Sequence, residues 1–139
     1  MENLMTWFKL VCGAIAGLFS YLFGGLDMLF YALLVCIAVD YVTGVLAALY
    51  EKKLNSETGF RGILKKVVIL CIVVLAHMIE NAAGVTGIRD LVIGFYIANE
   101  GISILENAGR MNVPVARGFV KVLEQLKEQM DDEDPGDKE

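Results

Sequence analysis

The chain has 139 residues, of which 56% are hydrophobic and 21% are charged, and its mean hydropathy is positive. This composition indicates a small integral membrane protein rather than a soluble domain. The formal charge of −5 comes from the acidic segment 128–139, so it describes a tail and not the folded body. The basic residues lie beside apolar runs without a base-stacking pattern, and we expect no nucleic-acid partner.

The three cysteines, Cys12, Cys36 and Cys71, each lie inside an apolar run and show no CxxC spacing. With one histidine in the chain, they provide no zinc site and no nucleophile with a general base beside it. We therefore predict no metal site, no cofactor and no enzyme activity.

The first predicted membrane span covers residues 10–26, after a short lead whose aromatic side chains and lysine suit the headgroup level. Gly13 and Gly17 form a GxxxG pair, which allows close packing of helices in lipid. Glycine is also common in spans, so the pair can equally reflect composition. Because the segment is short and rich in glycine, a helix lying flat at the membrane surface is the alternative to a crossing.

The second predicted span, residues 28–50, is about 34 Å long as a helix, enough to cross a hydrocarbon core of about 30 Å. It contains one carboxylate, Asp40, near its middle. A charge at that depth costs about 2.5–3.5 kcal/mol, so Asp40 should face protein or water. Thr43 and Gly44 lie on the same helical face, which is therefore small and polar.

The segment 51–66 is predicted to be a loop and carries a concentration of basic residues. These are Lys52, Lys53, Arg61, Lys65 and Lys66. By the positive-inside rule the loop is cytoplasmic. The turn 84–90 has no net positive charge and can lie outside. Since two spans separate each basic region from the next, both termini are predicted to be cytoplasmic.

The third predicted span covers residues 64–83, and the fourth covers residues 91–109. The fourth has a polar stripe at helical spacing, formed by Tyr96, Asn99, Glu100, Ser103 and Asn107. A polar stripe at membrane depth must be hidden from lipid. Two interpretations remain open: a hydrogen-bonded network within one subunit, or the lining of an aqueous passage between several subunits. Asp40, Thr43 and Gly44 belong to the same set of candidate pore-lining or oligomer-contact residues.

Residues 111–130 are predicted to form an amphipathic helix on the cytoplasmic side, because apolar residues recur there at helical spacing. Residues 131–139 are too polar to pack and are predicted to be disordered. The predicted fold is therefore all-α: a membrane helical bundle of about four transmembrane helices, followed by this helix and tail.

Three blocks of the sequence carry a family resemblance. They are VDYVTG at 39–44, KLNS at 53–56 with GFRGILKK at 59–66, and NEGISILEN at 99–107 with VPV at 113–115. In order and spacing, these blocks resemble the toxin-secretion and phage-lysis holin family across about residues 28–126. Ala116 departs from the pattern, because the family often has a second proline there.

The resemblance implies a phage-encoded protein of the bacterial cytoplasmic membrane that oligomerises into lesions and releases an endolysin or a toxin. Its expected partners are the lipid bilayer, other copies of itself, and an endolysin that it need not touch. Two alternatives come from the residues alone. One is a small ion-coupled transporter or channel subunit that uses Asp40 and Glu100, and the other is a membrane scaffold or lysis inhibitor that never opens.

Overall fold

The structure, a computed structural model, describes residues 1–115 and 117–132, and these residues form helices without any strand. The five helices are α1 (Glu2–Phe23), α2 (Met28–Tyr50), α3 (Ser56–Ala83), α4 (Ile88–Arg110) and α5 (Arg117–Asp132). The all-α class predicted from the sequence is confirmed.

The helix ends follow from local sequence. Asp27 precedes α2, and its carboxylate accepts a hydrogen bond of 2.9 Å from the backbone N–H three residues later. Asn55 precedes α3, and its side-chain amide oxygen accepts a hydrogen bond of 3.0 Å from the backbone N–H two residues later. Gly24 and Gly84 end α1 and α3 in the left-handed conformation, which glycine adopts without steric cost.

By length and composition, three helices can cross a membrane, and they are α1, α2 and α3. Helix α4 has 23 residues, which is long enough, but its polar stripe makes it less apolar than the others. The predicted fourth crossing therefore stays a prediction. Of the helix starts, that of α2 matches its predicted residue, α4 begins at Ile88 instead of residue 91, and larger differences occur at α1 and α3. Helix α1 begins at Glu2 instead of residue 10, and α3 begins at Ser56 instead of residue 64.

Helix α4 lies at the centre of the bundle and packs against α2, α3 and α5. It runs parallel to α2, because Arg89 pairs with Asp27 at one end while Arg110 pairs with Glu51 at the other. Helix α3 runs antiparallel to both. The apolar core lies nearest the Arg89 end and consists of Phe23, Phe30, Leu33, Ile69, Val73 and Ile93.

Helix α5 lies along α4 in the opposite direction. A Cβ added at Gly101 would lie 3.0 Å from Leu123, and one added at Gly94 would lie 2.7 Å from Met130. The glycines thus let the two helices approach closely. A helix lies in the region predicted to be amphipathic, but it begins at Arg117 instead of residue 111. It runs back along α4, with Met130 beside Gly94 near the Arg89 end, so it does not lie beyond the Arg110 end of the bundle, where the predicted cytoplasmic placement would put it. Residues 131–132, predicted to be disordered, belong to α5, and residues 133–139 lie outside the described part of the chain.

Candidate functional site

A cluster of charged side chains lies between α2, α3 and α4. The turn after α2 folds α3 back alongside it, and Asp40 precedes the end of α2 by as many residues as Lys66 follows the start of α3. The two side chains therefore lie at the same height. Helix α4 inserts Glu100 at that height from a third direction.

The Lys66 ammonium donates hydrogen bonds to carboxylate oxygens of both Asp40 and Glu100. Asp40 is 8% exposed and Glu100 is 2% exposed. A buried carboxylate without a partner is strongly destabilising, and pairing with a cation offsets much of that cost. The cluster has two carboxylates for one ammonium, so one negative charge is unmatched when all three groups are ionised.

Asn107 completes the cluster on the side nearer Arg110. Its Nδ2 donates to Asp40 Oδ1 at 3.3 Å and to Thr43 Oγ1 at 3.2 Å, while its Oδ1 accepts from Arg110 at 3.1 Å. A Cβ added at Gly44 would lie 3.5 Å from Asn107 Nδ2. The small face predicted around Asp40 is therefore used for packing within one subunit.

A cleft of about 960 Å³ opens beside the cluster, between α2, α3 and α4. Asn99 and Ser103 line it, together with the members of the cluster. Tyr96 does not line it and packs instead against the apolar core. Of the predicted polar stripe, four residues thus surround one cleft and the fifth contributes to the core. Whether any of them lines a passage between subunits stays a prediction.

The predicted basic loop is wrong for three of its five residues, because Arg61, Lys65 and Lys66 lie in α3. The first turns of the helix pack against Tyr41 of α2: a Cβ added at Gly59 would lie 3.6 Å from the Tyr41 hydroxyl oxygen, and one added at Gly62 would lie 3.7 Å from the ring. These glycines permit a close helix contact and do not mark a loop. Lys52 and Lys53 lie in the turn as predicted and are exposed.

Sequence reasoning missed Arg89, which is 5% exposed at the opposite end of the bundle. Its guanidinium donates to both Asp27 carboxylate oxygens at 2.8 and 3.1 Å and to the carbonyls of Phe23 and Gly25. These hydrogen bonds hold the pKa of Asp27 below its usual range, against the opposing effect of burial. The sequence predicted only that the charges of Arg89 and Asp90 cancel, and the two side chains do pair at 2.8 Å. An arginine beside an apolar helix also indicates a buried partner, and that signal could have pointed to Asp27.

At the end of α4 opposite Arg89, Arg110 donates to both Glu51 oxygens at 2.9 and 3.1 Å. This hydrogen bonding lowers the pKa of Glu51. Arg89 and Arg110 thus fasten the two ends of α4 to the two ends of α2, and the Lys66 cluster lies between them.

Gly13 and Gly17, the predicted helix-packing pair, face away from the rest of the subunit. Among the described residues, no atom outside the glycine's own helical surroundings lies within 4 Å of a Cβ added at either position. The pair thus makes no contact with another described helix, and its use between copies stays a prediction.

Long apolar helices that surround ion-paired polar groups define a small helical membrane protein. Among the described residues, no group of three or more His, Cys, Asp or Glu side chains is placed to hold a metal ion. The arrangement provides an open cleft lined by both polar and apolar side chains, with fixed charges beside it inside the bundle.

Residues 17–128 match the bacteriophage holin family, and the chain belongs to that family. It is 40% identical to an uncharacterized 14.9 kDa protein in the nagH 3′ region of Clostridium perfringens, over 91% of this chain and 97% of that protein. It is 47% identical to an uncharacterized protein of Listeria monocytogenes, over 83% and 81% of the two chains. The uncharacterized YqxH of Bacillus subtilis is 36% identical, over 78% and 80%. No solved structure matches.

Proposed function

We propose that the protein is a phage-type holin, which accumulates in the bacterial cytoplasmic membrane and assembles into lesions that release an endolysin or a toxin. Membership of the bacteriophage holin family, over residues 17–128, is the observation that carries this proposal. The protein acts in it as a membrane-disrupting assembly and not as an enzyme.

The exposure of the long helices supports assembly. In the apolar windows of α2 and α3, 17% of residues are buried, and in that of α1 only 6% are. One subunit therefore leaves most of its apolar helix surface to lipid or to other copies. Helices associate in lipid through close packing and polar contacts, which the free Gly13–Gly17 face and the polar cleft both offer.

The proposed topology has the basic turn at Lys52 and Lys53 in the cytoplasm and the turn at Gly24–Asp27 outside. The N-terminus is then cytoplasmic if α1 crosses the membrane. The positive-inside rule and the antiparallel arrangement of α2 and α3 support this orientation.

Inducible expression in a bacterial host, with and without an endolysin that lacks an export signal, tests the function. We expect abrupt growth arrest, followed by lysis only when the endolysin is present. A matched control expresses the endolysin with a chain shortened to residues 1–50. Steady growth of the cells that produce both full-length proteins would contradict the proposal.

The buried pair Asp40 and Glu100, which share one lysine beside an open cleft, favours a second candidate: a small ion-conducting subunit. That function predicts ion leakage at low expression without release of a protein. The same cells distinguish the two, because endolysin remains inside if only ions pass.

A further inference from the structure

Helix α5 contacts α4 at two separate heights. Leu123 packs against Gly101, and Met130 packs against Gly94. Lys127 Nζ lies 5.8 Å from the centroid of the Phe95 ring between these heights. The contacts progress forward along α5 and backward along α4, so the helices are antiparallel neighbours over most of their length.

The position of α5 along the bundle can be compared with that of α2, which is long and apolar enough to cross a membrane. The ion pairs of Arg89 and Arg110 hold α4 level with α2 from end to end. Met130 packs beside Gly94, little more than one turn from Arg89. The 16 residues of α5 extend about 24 Å, against a hydrocarbon core of about 30 Å. Helix α5 therefore spans most of the height of α2.

The surface that α5 turns away from α4 has two parts. The charged face is exposed and consists of Arg117, Lys121, Glu124, Glu128 and Asp131. The apolar flank lies beside it and consists of Phe119, Val122 and Leu126, which are 55%, 50% and 40% exposed. Both parts extend along the helix axis.

A row of charges at membrane height cannot face lipid, because each charge costs several kcal/mol there. The bundle does not cover the charged face, so water must. We propose that α5, docked on α4, forms part of the wall of an aqueous passage in the assembled protein, with its charged face toward water. Its apolar flank then meets lipid or the neighbouring copy. This inference rests on the proposed function, since one subunit alone encloses no passage.

Ion selectivity tests the charged face directly. The full chain is reconstituted in planar bilayers of phosphatidylethanolamine and phosphatidylglycerol, and the reversal potential is measured in a KCl gradient. We expect Lys121→Glu to shift selectivity toward potassium and Glu128→Lys to shift it toward chloride. The matched control is Lys52→Glu, which changes an equally exposed lysine in the turn after α2 and should leave the reversal potential unchanged.

A second measurement avoids charge variants that fold poorly. In a chain with all three cysteines replaced by serine, Lys121→Cys and Val122→Cys place a thiol on the charged face or on the apolar flank. A charged, membrane-impermeant thiol reagent added to the open assembly should change the conductance of Lys121→Cys alone.

The outcomes separate the two proposals. A wild-type protein without conductance would overturn the proposed function and this inference together. A reversal potential that neither α5 charge reversal changes, or that Lys52→Glu changes by the same amount, would overturn the inference alone. Equal modification of both thiols would do so as well.

Discussion

Lys66 is the residue on which the interior of the bundle depends most, because one ammonium serves two buried carboxylates. Asp40 and Glu100 come from different helices and make no other ion pair among the described residues. Burying their charges is costly, and Lys66 offsets this cost. Because Lys66 directly precedes an apolar run, the sequence suggested that it belongs to a loop.

We expect Lys66→Met to destabilise the protein by about 3–5 kcal/mol, because removal of one partner leaves buried charges uncompensated. Thermal unfolding in detergent measures the effect, and Lys66→Arg serves as the charge-preserving control. Replacing Asp40 by Asn and Glu100 by Gln in the Lys66→Met chain should recover much of the loss. A single variant as stable as the wild type would show that the ion pairs contribute nothing.

The Arg89–Asp27 pair predicts a pH dependence of stability at the turn between α1 and α2. The folded-state pKa of Asp27 is lowered by Arg89, so the pair stabilises the fold above the ordinary carboxyl pKa of about 4. This stabilisation is lost as the pH falls through the lower folded-state value. We expect melting temperatures of wild type and Asp27→Asn to converge on acidification below about pH 4. A constant difference between them at all pH values would contradict this assignment.

At the scale of helices, the contact between α4 and α5 depends on side chains that fill the space above two glycines. Leu123 is the most deeply buried residue of α5, at 9% exposure, and it lies against Gly101. The basic residues of α5 are trypsin sites whose cleavage requires local opening of the helix.

We therefore expect Leu123→Asn to speed cleavage of α5 by trypsin while α2 and α3 stay intact. Val122→Asn is the matched control, because it makes the same kind of change on the exposed flank, where Val122 is 50% exposed. Gel analysis of fragments over time provides the measurement. Equal cleavage rates in the two variants would mean that α5 is not docked through Leu123.

The helices were largely predictable because apolar length and periodicity are local properties of sequence. Helix α2 matches its predicted bounds since a turn capped by Asp27 precedes it and charged residues follow it. The start of α3 was not predictable from local sequence. Gly59 and Gly62 indicate a loop by themselves, and their role in close helix packing depends on Tyr41 of α2, which lies against them only in the folded chain. The partners of Lys66 and Arg89 were missed for the same reason, as they come from elements distant in the chain.

The whole molecule is a bundle of α2, α3 and α4 with two attachments of different kinds. Helix α5 is docked along one side, whereas α1 is attached through its last turn, where Phe23 is its only buried residue. Because α2 and α3 are antiparallel, the turn after α2 and the turn after α3 lie at opposite ends of the bundle.

Single cysteines in a chain whose own cysteines are serine test this orientation. We expect Val85→Cys to react with an impermeant maleimide added outside spheroplasts before lesions open, because the turn after α3 is predicted to be external. Lys53→Cys should react only after the membrane is permeabilised. The reverse pattern would invert the proposed topology.

Because α1 packs on the bundle mainly through its last turn, changes along the rest of α1 can affect assembly without affecting the stability of the folded bundle. Gly24 and Gly25 have φ values of 75° and 116° and follow the last turn of α1, where Phe23 packs into the core. Substitutions earlier in α1 alter a surface that the described bundle leaves exposed. In the proposed holin function they should therefore change lysis timing with little change in melting temperature. Comparing both quantities for Gly17→Leu checks this expectation. If the proposed holin function holds, the exposed part of α1 is therefore a region where sequence changes can alter the timing of lysis without altering the stability of the bundle.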